Sequence, residues 1–166
     1  SQKVMKQYEN AFKNFTFIGP SPIDFDFKKL YGECVWNELC NFNLINEIKR
    51  GKNKIGIIFN LDKHTGPGTH WVSMFISIPD KKIYYYDSVG DTIPKQINKL
   101  VDNIKNQQAA INTDKNFKLL INKKEHQKRN SECGVYSLHF IISMLTKKIS
   151  WESFQKIRFS DDYINK

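Results

Sequence analysis

The chain has 166 residues and a formal net charge of +9, length enough for one ordinary domain with a real core. Hydrophobic residues at 40% and charged residues at 26% lie in the globular range and exclude a disordered chain. No apolar run approaches the roughly 20 residues of a membrane span, and the polar opening of Ser1 to Asn14 is unlike a signal peptide.

Val4, Tyr8, Ala11 and Phe12 fall at loosely helical spacing and predict a first helix within 1–14. Phe15 to Phe27 is rich in aromatics but interrupted by Gly19, Pro20 and Pro22, which predicts an extended, packed loop. From Lys28 to about Arg50 the inward candidates Leu30, Val35, Leu39, Phe42, Ile45 and Ile48 predict one helix, with Gly51 placed to stop it. Lys54 to Asn60 carries a short apolar run that reads as a buried strand. The Gly66-Pro67-Gly68 turn then feeds a strand over Thr69 to Ile78, and a second strand runs from Lys81 to Asp87. Ile93 to Ile111 is an amphipathic helix with Pro94 in its first turn. Phe117 to Ile121 is a further strand, and a helix from about Glu132 to Thr146 is the last strong element. Helices bracketing a block of strands predict an α+β fold in a single domain spanning 1–166.

The three cysteines, at 34, 40 and 133, fit no zinc or disulfide framework. That predicts a reducing compartment, the cytoplasm. Cys34 and Cys40 fall in the 28–50 segment among Val35, Trp36 and Leu39 and read as core packing. The basic charge comes from scattered lysines without an Arg-rich stripe or interleaved aromatics. Weak nucleic-acid association through charge stays open; a membrane partner is not expected.

Two strands and one helix start carry the chemistry. If the hairpin loop is Ser77 to Asp80, opposed residues sum to 157, and His70 then faces Asp87 across neighbouring antiparallel strands. A carboxylate there can accept the imidazole N–H, fix its tautomer and stabilise the imidazolium. Taken singly, His70 reads rather as a strand-end histidine bonded to backbone and Asp87 as a turn residue; their match in register, followed by a cysteine in a suitable setting, is what points to chemistry.

Cys133 stands in Asn130-Ser-Glu-Cys-Gly-Val-Tyr at a predicted helix start. Asn130 or Ser131 is suited to cap that helix, and Val135, Leu138, Ile141, Ile142 and Leu145 are its predicted buried face. A first-turn sulfur meets the macrodipole and free N–H groups, which favour a thiolate. Gly134 beside it leaves the backbone open to a substrate. Gln127, six positions earlier, could donate an amide to an oxyanion. His64, His126 and His139 read as surface or core residues rather than metal ligands.

His70-Trp71 opening a strand, Asp87-Ser88 closing the next, and Gln127-x5-Cys133-Gly134 opening a helix resemble the papain-like cysteine peptidases. Within that clan they resemble the SUMO and ubiquitin-like-protein proteases and the adenovirus protease. The resemblance implies a permuted papain-like fold, with a central mixed β-sheet flanked by helices and the nucleophile at the start of a buried helix. It implies His70 as base, Asp87 as its orienter, Cys133 as nucleophile, Gln127 as oxyanion donor, and no cofactor. Trp71 would line a narrow channel for a Gly-Gly tail; core packing of Trp71 is compatible with that role. The implied substrate is a ubiquitin-like modifier or a viral polyprotein. Phe17 to Phe25, together with a composition rich in Lys, Asn and Ile, resembles versions encoded by large DNA viruses, which would act in the host cytoplasm or virion. The alternatives are a triad-based acetyltransferase of the same clan and a non-catalytic basic module binding nucleic acid.

Overall fold

The structure, a computed structural model, describes residues 2–62, 64–66, 70–111, 116–126, 133–160 and 163. In chain order the elements are α1 (Gln2–Ala11), β1 (Phe15–Pro22), α2 (Asn37–Cys40), α3 (Leu44–Lys49), β2 (Lys54–Asn60) and β3 (Trp71–Ser77). There follow β4 (Lys82–Tyr86), α4 (Lys95–Ile111), β5 (Lys118–Ile121), α5 (Cys133–Thr146) and α6 (Trp151–Lys156). The strands form one sheet in sequential order, antiparallel through β2, β3 and β4 and parallel at both outer pairs. This is the α+β fold expected, a mixed sheet flanked by helices. The parallel β4–β5 pair needs a crossover, which α4 provides.

Alternation along the strands sorts the side chains into two cores. Ile55, Ile57, Phe59, Val72, Met74, Ile76, Ile83 and Tyr85 face α4, with Ile97, Leu100, Val101 and Ile104 packed against them. Ile58, Phe75, Tyr84 and Tyr86 face the other way, toward Tyr136, Phe140, Ile141 and Leu145 of α5 and Phe154 of α6. The middle strands are thus covered on both faces, and the unbroken apolar run of β2 follows from that. Under α5 the sheet carries small residues. A Cβ on Gly56 would lie 2.7 Å from Ile141 Cγ2, and Ser73 is fully buried. These let α5 sit low on β2 and β3, which fixes where its first residue falls.

Four local expectations need correction. Phe15 to Pro22 is a strand, not a loop. It is an edge strand with a register irregularity between Ile18 and Ser21, where missing proline donors are tolerated. Burial of Phe15 and Ile18, worth about 1.5–3 kcal/mol each, then decides the matter.

The 28–50 helix is instead a tight hairpin followed by two short helices. Gly32 adopts φ +83°, and the Asn43 side chain accepts from Asn46 N at 3.0 Å to start α3; each conformation interrupts a continuous helix. Leu39 and Phe42 are buried, but Leu30, Ile45 and Ile48 are exposed.

Cys34 and Cys40 form a disulfide and are only half-buried. The reading of both as core thiols with no disulfide framework therefore fails, because the hairpin folds Cys34 back onto α2. Finally, the buried face of α5 is turned toward Tyr136, Ser137 and Phe140 as well as Ile141 and Leu145, while Val135 is exposed.

Candidate active site

His70 precedes the first residue of β3 and Asp87 follows the last of β4, so both stand at the open end of this hairpin. The observed register pairs Ile76 with Ile83 and Ser73 with Tyr86, opposed residues summing to 159 rather than 157. The loop is Ile78 to Lys81, with Lys81 at φ +54° and Asp80 bonded to Ser77 Oγ. A shift of two residues keeps every side chain on its expected face, but it moves Asp87 from opposite His70 to a diagonal position. The side chains close that diagonal: His70 Nε2 donates to Asp87 Oδ1 at 2.9 Å. The same Oδ1 accepts from Val89 N at 3.0 Å, and Asp87 is 1% exposed.

Cys133 is the first residue of α5, buried and not in a disulfide. Its thiol hydrogen-bonds the His70 ring; since Nε2 is engaged by Asp87, the nitrogen left for sulfur is Nδ1. The hydrogen bond to Asp87 and then that to Cys133 raise the His70 pKa to about 10, against the lowering that burial causes. Burial pushes the Cys133 thiol up, but the His70 bond, the Trp71 and Gly134 backbone N–H groups and the imidazolium charge outweigh it, and the thiol pKa falls. Both shifts favour a thiolate–imidazolium pair, as expected at a helix N-terminus.

Two supporting residues were not singled out in the sequence. Asn122 is fully buried; its Nδ2 donates to Asp87 O at 2.8 Å and Lys124 O at 3.0 Å, and its Oδ1 accepts from Lys124 N and Gln155 Nε2. It ties the Asp87 turn to the segment leading toward residue 127. A Cβ on Gly90 would lie 2.7 Å from Lys123 O, so that turn lies directly against the same segment.

Trp36 is the second such residue. With Trp71, Pro20, Pro22, Asn60 and His64 it lines a groove of about 330 Å³, which adjoins the site through Trp71, whose backbone N–H bonds the Cys133 sulfur. Trp71 also approaches Gly134, with Cδ1 4.0 Å from where a Cβ would stand. A Trp four residues before Cys40 carries no local signal of this role; a second tryptophan on the groove that Trp71 lines is visible only once the hairpin is folded. Gln127 lies outside the described residues, as do Asn130, Ser131 and Glu132. Among the described residues no cluster of His, Cys, Asp or Glu is arranged to hold a metal. His64 is exposed and bonds the Asp24 carboxylate, His126 is fully buried, and His139 is half-buried.

Comparison with known proteins matches residues 6–165 to the Ulp1 protease family, C-terminal catalytic domain. The chain belongs to that cysteine-protease family. A protein of Acanthamoeba polyphaga mimivirus named as a thiol protease is 40% identical over 87% of this chain and 45% of its own length. A protein of African swine fever virus named as a SUMO-1 cysteine protease is 32% identical over 72% of this chain and 44% of its own. The chain therefore spans under half the length of these viral relatives. The crystal structure of the African swine fever virus protease superposes with a TM-score of 0.77 at 22% identity, covering 96% of this chain and 60% of that one. The Ulp1 protease domain solved with the yeast ortholog of SUMO gives 0.57 at 15% identity, covering 96% and 72%. Both confirm the fold of this family member.

Proposed function

We propose that this chain is the catalytic domain, spanning 1–166, of a cysteine peptidase that cleaves after glycine in Gly-Gly-type tails. The observation that carries the reading is the run Asp87–His70–Cys133, adjoining through Trp71 a groove that two tryptophans line. In this reading the Cys133 thiolate attacks the scissile carbonyl, and the charge moves to its oxygen. The Cys133 backbone N–H and the Gln127 amide receive that oxyanion. His70 gives its Nδ1 proton to the leaving amine, and a thioester remains. Water then attacks the thioester while His70 takes its proton, and release of the acid restores the pair. Asp87 holds the ring and its charge throughout. Such thiol chemistry asks for no metal or cofactor.

Indoles lining the groove, Trp71 beside the nucleophile and Trp36 further along, favour a tail without side chains, which is the reason for the glycine preference. The substrate class is a ubiquitin-like modifier; the relatives named as SUMO-1 proteases support it. A viral polyprotein carrying Gly-Gly sites is the second class, supported by the viral origin of the relatives, and the site of action is the host cytoplasm or the virion. The +9 charge adds weak, salt-sensitive nucleic-acid association.

The test is labelling by ubiquitin and SUMO propargylamide probes. The expected result is an adduct on the wild type and none on Cys133→Ala. Absence of any adduct with both probes, together with cleavage of viral Gly-Gly peptides, would move the assignment to polyprotein processing.

A further inference from the structure

Residues 25–36 form a braced hairpin at the rim of the groove. Trp36 N bonds Phe25 O, Val35 N bonds Phe27 O, and Lys29 N bonds Glu33 O at 2.7 Å. Gly32 N closes the tip onto Lys29 O at 2.8 Å, with Gly32 at φ +83°, and the Cys34–Cys40 disulfide ties its returning arm to α2. The two central residues of that tip turn are Leu30 and Tyr31, 91% and 90% exposed. Such positions ordinarily carry Gly, Pro, Asn, Asp or Ser. Phe27, 58% exposed, stacks on His64 and extends the apolar surface toward the groove that His64 lines. Lys29, Val35 and Trp36 of the same hairpin line that groove.

We infer that the Leu30–Tyr31 tip is a docking surface for the folded body of the protein substrate whose tail lies in the groove. This rests on the function proposed above and adds to it a second point of recognition. Continuity names the occupant: one arm of the hairpin lines the groove and its tip projects beyond it, so a domain attached to a tail in the groove stands next to the tip. The bracing means the tip is pre-organised, so little ordering entropy opposes contact. Lys28 and Lys29 lead into the apolar pair and Glu33 follows it, all three exposed. The complementary surface is an apolar patch with an acidic edge on the Lys28–Lys29 side.

The experiment compares the wild type with Leu30→Ser/Tyr31→Ser on two substrates bearing the same fluorophore. One is a short peptide ending in Gly-Gly; the other is SUMO-1, with ubiquitin in parallel, ending in the same Gly-Gly. Both replaced side chains are exposed, and the thermal midpoint of the variant is expected to match the wild type. The variant should cleave the peptide within about twofold of wild type. It should lose roughly tenfold or more in kcat/KM on the protein substrate, mostly through KM, as for loss of an interface anchor. Lys28→Glu/Lys29→Glu should lose part of the protein-specific gain in a salt-dependent way. Equal losses on both substrates would overturn the inference, because the tip would then be shaping the groove. No loss on either overturns it too, leaving the patch to some other part of a longer chain. A wild type that cleaves neither substrate and takes no probe sinks the proposed function and this inference together, and so is distinguishable from failure of the inference alone.

Discussion

His70 and Asp87 meet on a diagonal: continuing the β3–β4 register places Val72 opposite Asp87, yet the imidazole reaches the carboxylate at 2.9 Å. The ring is therefore held by its Nε2, with Nδ1 turned to sulfur. Asp87→Asn keeps the shape but can donate as well as accept, so the ring is free to adopt the tautomer that leaves Nδ1 protonated before the thiol. The expected result is a fall in kcat of roughly three to four orders of magnitude with little change in KM. A loss under about tenfold would show that Asp87 does not orient the base.

The thiolate–imidazolium pair has its own signature. The rate of iodoacetamide alkylation of Cys133 should rise with pH through a midpoint below the ordinary thiol value of about 8.5. In His70→Ala the sulfur loses its ring partner and the neighbouring charge, while burial, which pushes the thiol up, and the Trp71 and Gly134 N–H groups, which hold it down, remain. The midpoint should then move up from its wild-type position. Superimposable profiles for the two proteins would mean that the pair does not form.

Asn122 links the Asp87 turn to the backbone that follows. Asn122→Ala would leave Asp87 O, Lys124 O and Lys124 N without their side-chain partner inside a fully buried site. The expected destabilisation is about 2–3 kcal/mol, read from the urea midpoint at constant slope. A change below about 0.5 kcal/mol would indicate that water replaces the amide.

The hydrophobic alternation of β3 and β4 and the helix start at Cys133 were legible because they depend on local periodicity. They were enough to bring His70, Asp87 and Cys133 to one end of the sheet. The register was not legible, since the loops Ser77–Asp80 and Ile78–Lys81 have the same length; what separates them is Lys81 at positive φ and the Asp80–Ser77 bond. The error did no harm to the site because a two-residue shift preserves faces. The 28–50 region was misread for a different reason. Its apolar spacing imitates a helix, whereas Gly32, Asn43 and the Cys34–Cys40 link impose turns. Trp36 was lost with it, because its place on the groove that Trp71 lines depends on contacts distant in sequence.

The disulfide can be counted directly. Protein unfolded in guanidinium without reductant should titrate one thiol per chain, Cys133, and three after reduction. Cys34→Ser/Cys40→Ser should lose about 2 kcal/mol of stability, the loop-closure value for so short a loop. Three thiols before reduction would remove the brace from the hairpin.

The last prediction concerns acid. Burial lowers the pKa of both His126 and His139. Lys124 and Arg158 act further on His126, against the raising effect of its bond to Phe154 O, and Lys148 and His126 act on His139, which falls to about 4. His126 Nε2 donates to Phe154 O at 2.8 Å and its Nδ1 accepts from Phe159 N at 3.0 Å, an arrangement only the neutral ring can make. Both groups are depressed in the folded state, so the unfolded chain binds protons first as pH drops. Their stabilising effect is complete above the unfolded value of 6.5 and is lost as pH falls toward the folded values. The slope is at most about 1.4 kcal/mol per pH unit for each ring. Thermal midpoints by circular dichroism should change little between about pH 7 and 8 and fall between pH 6.5 and 4. His139→Phe, which leaves the His126 bonds intact, should flatten part of that fall, and an unchanged acid slope in this variant would sink the assignment of His139.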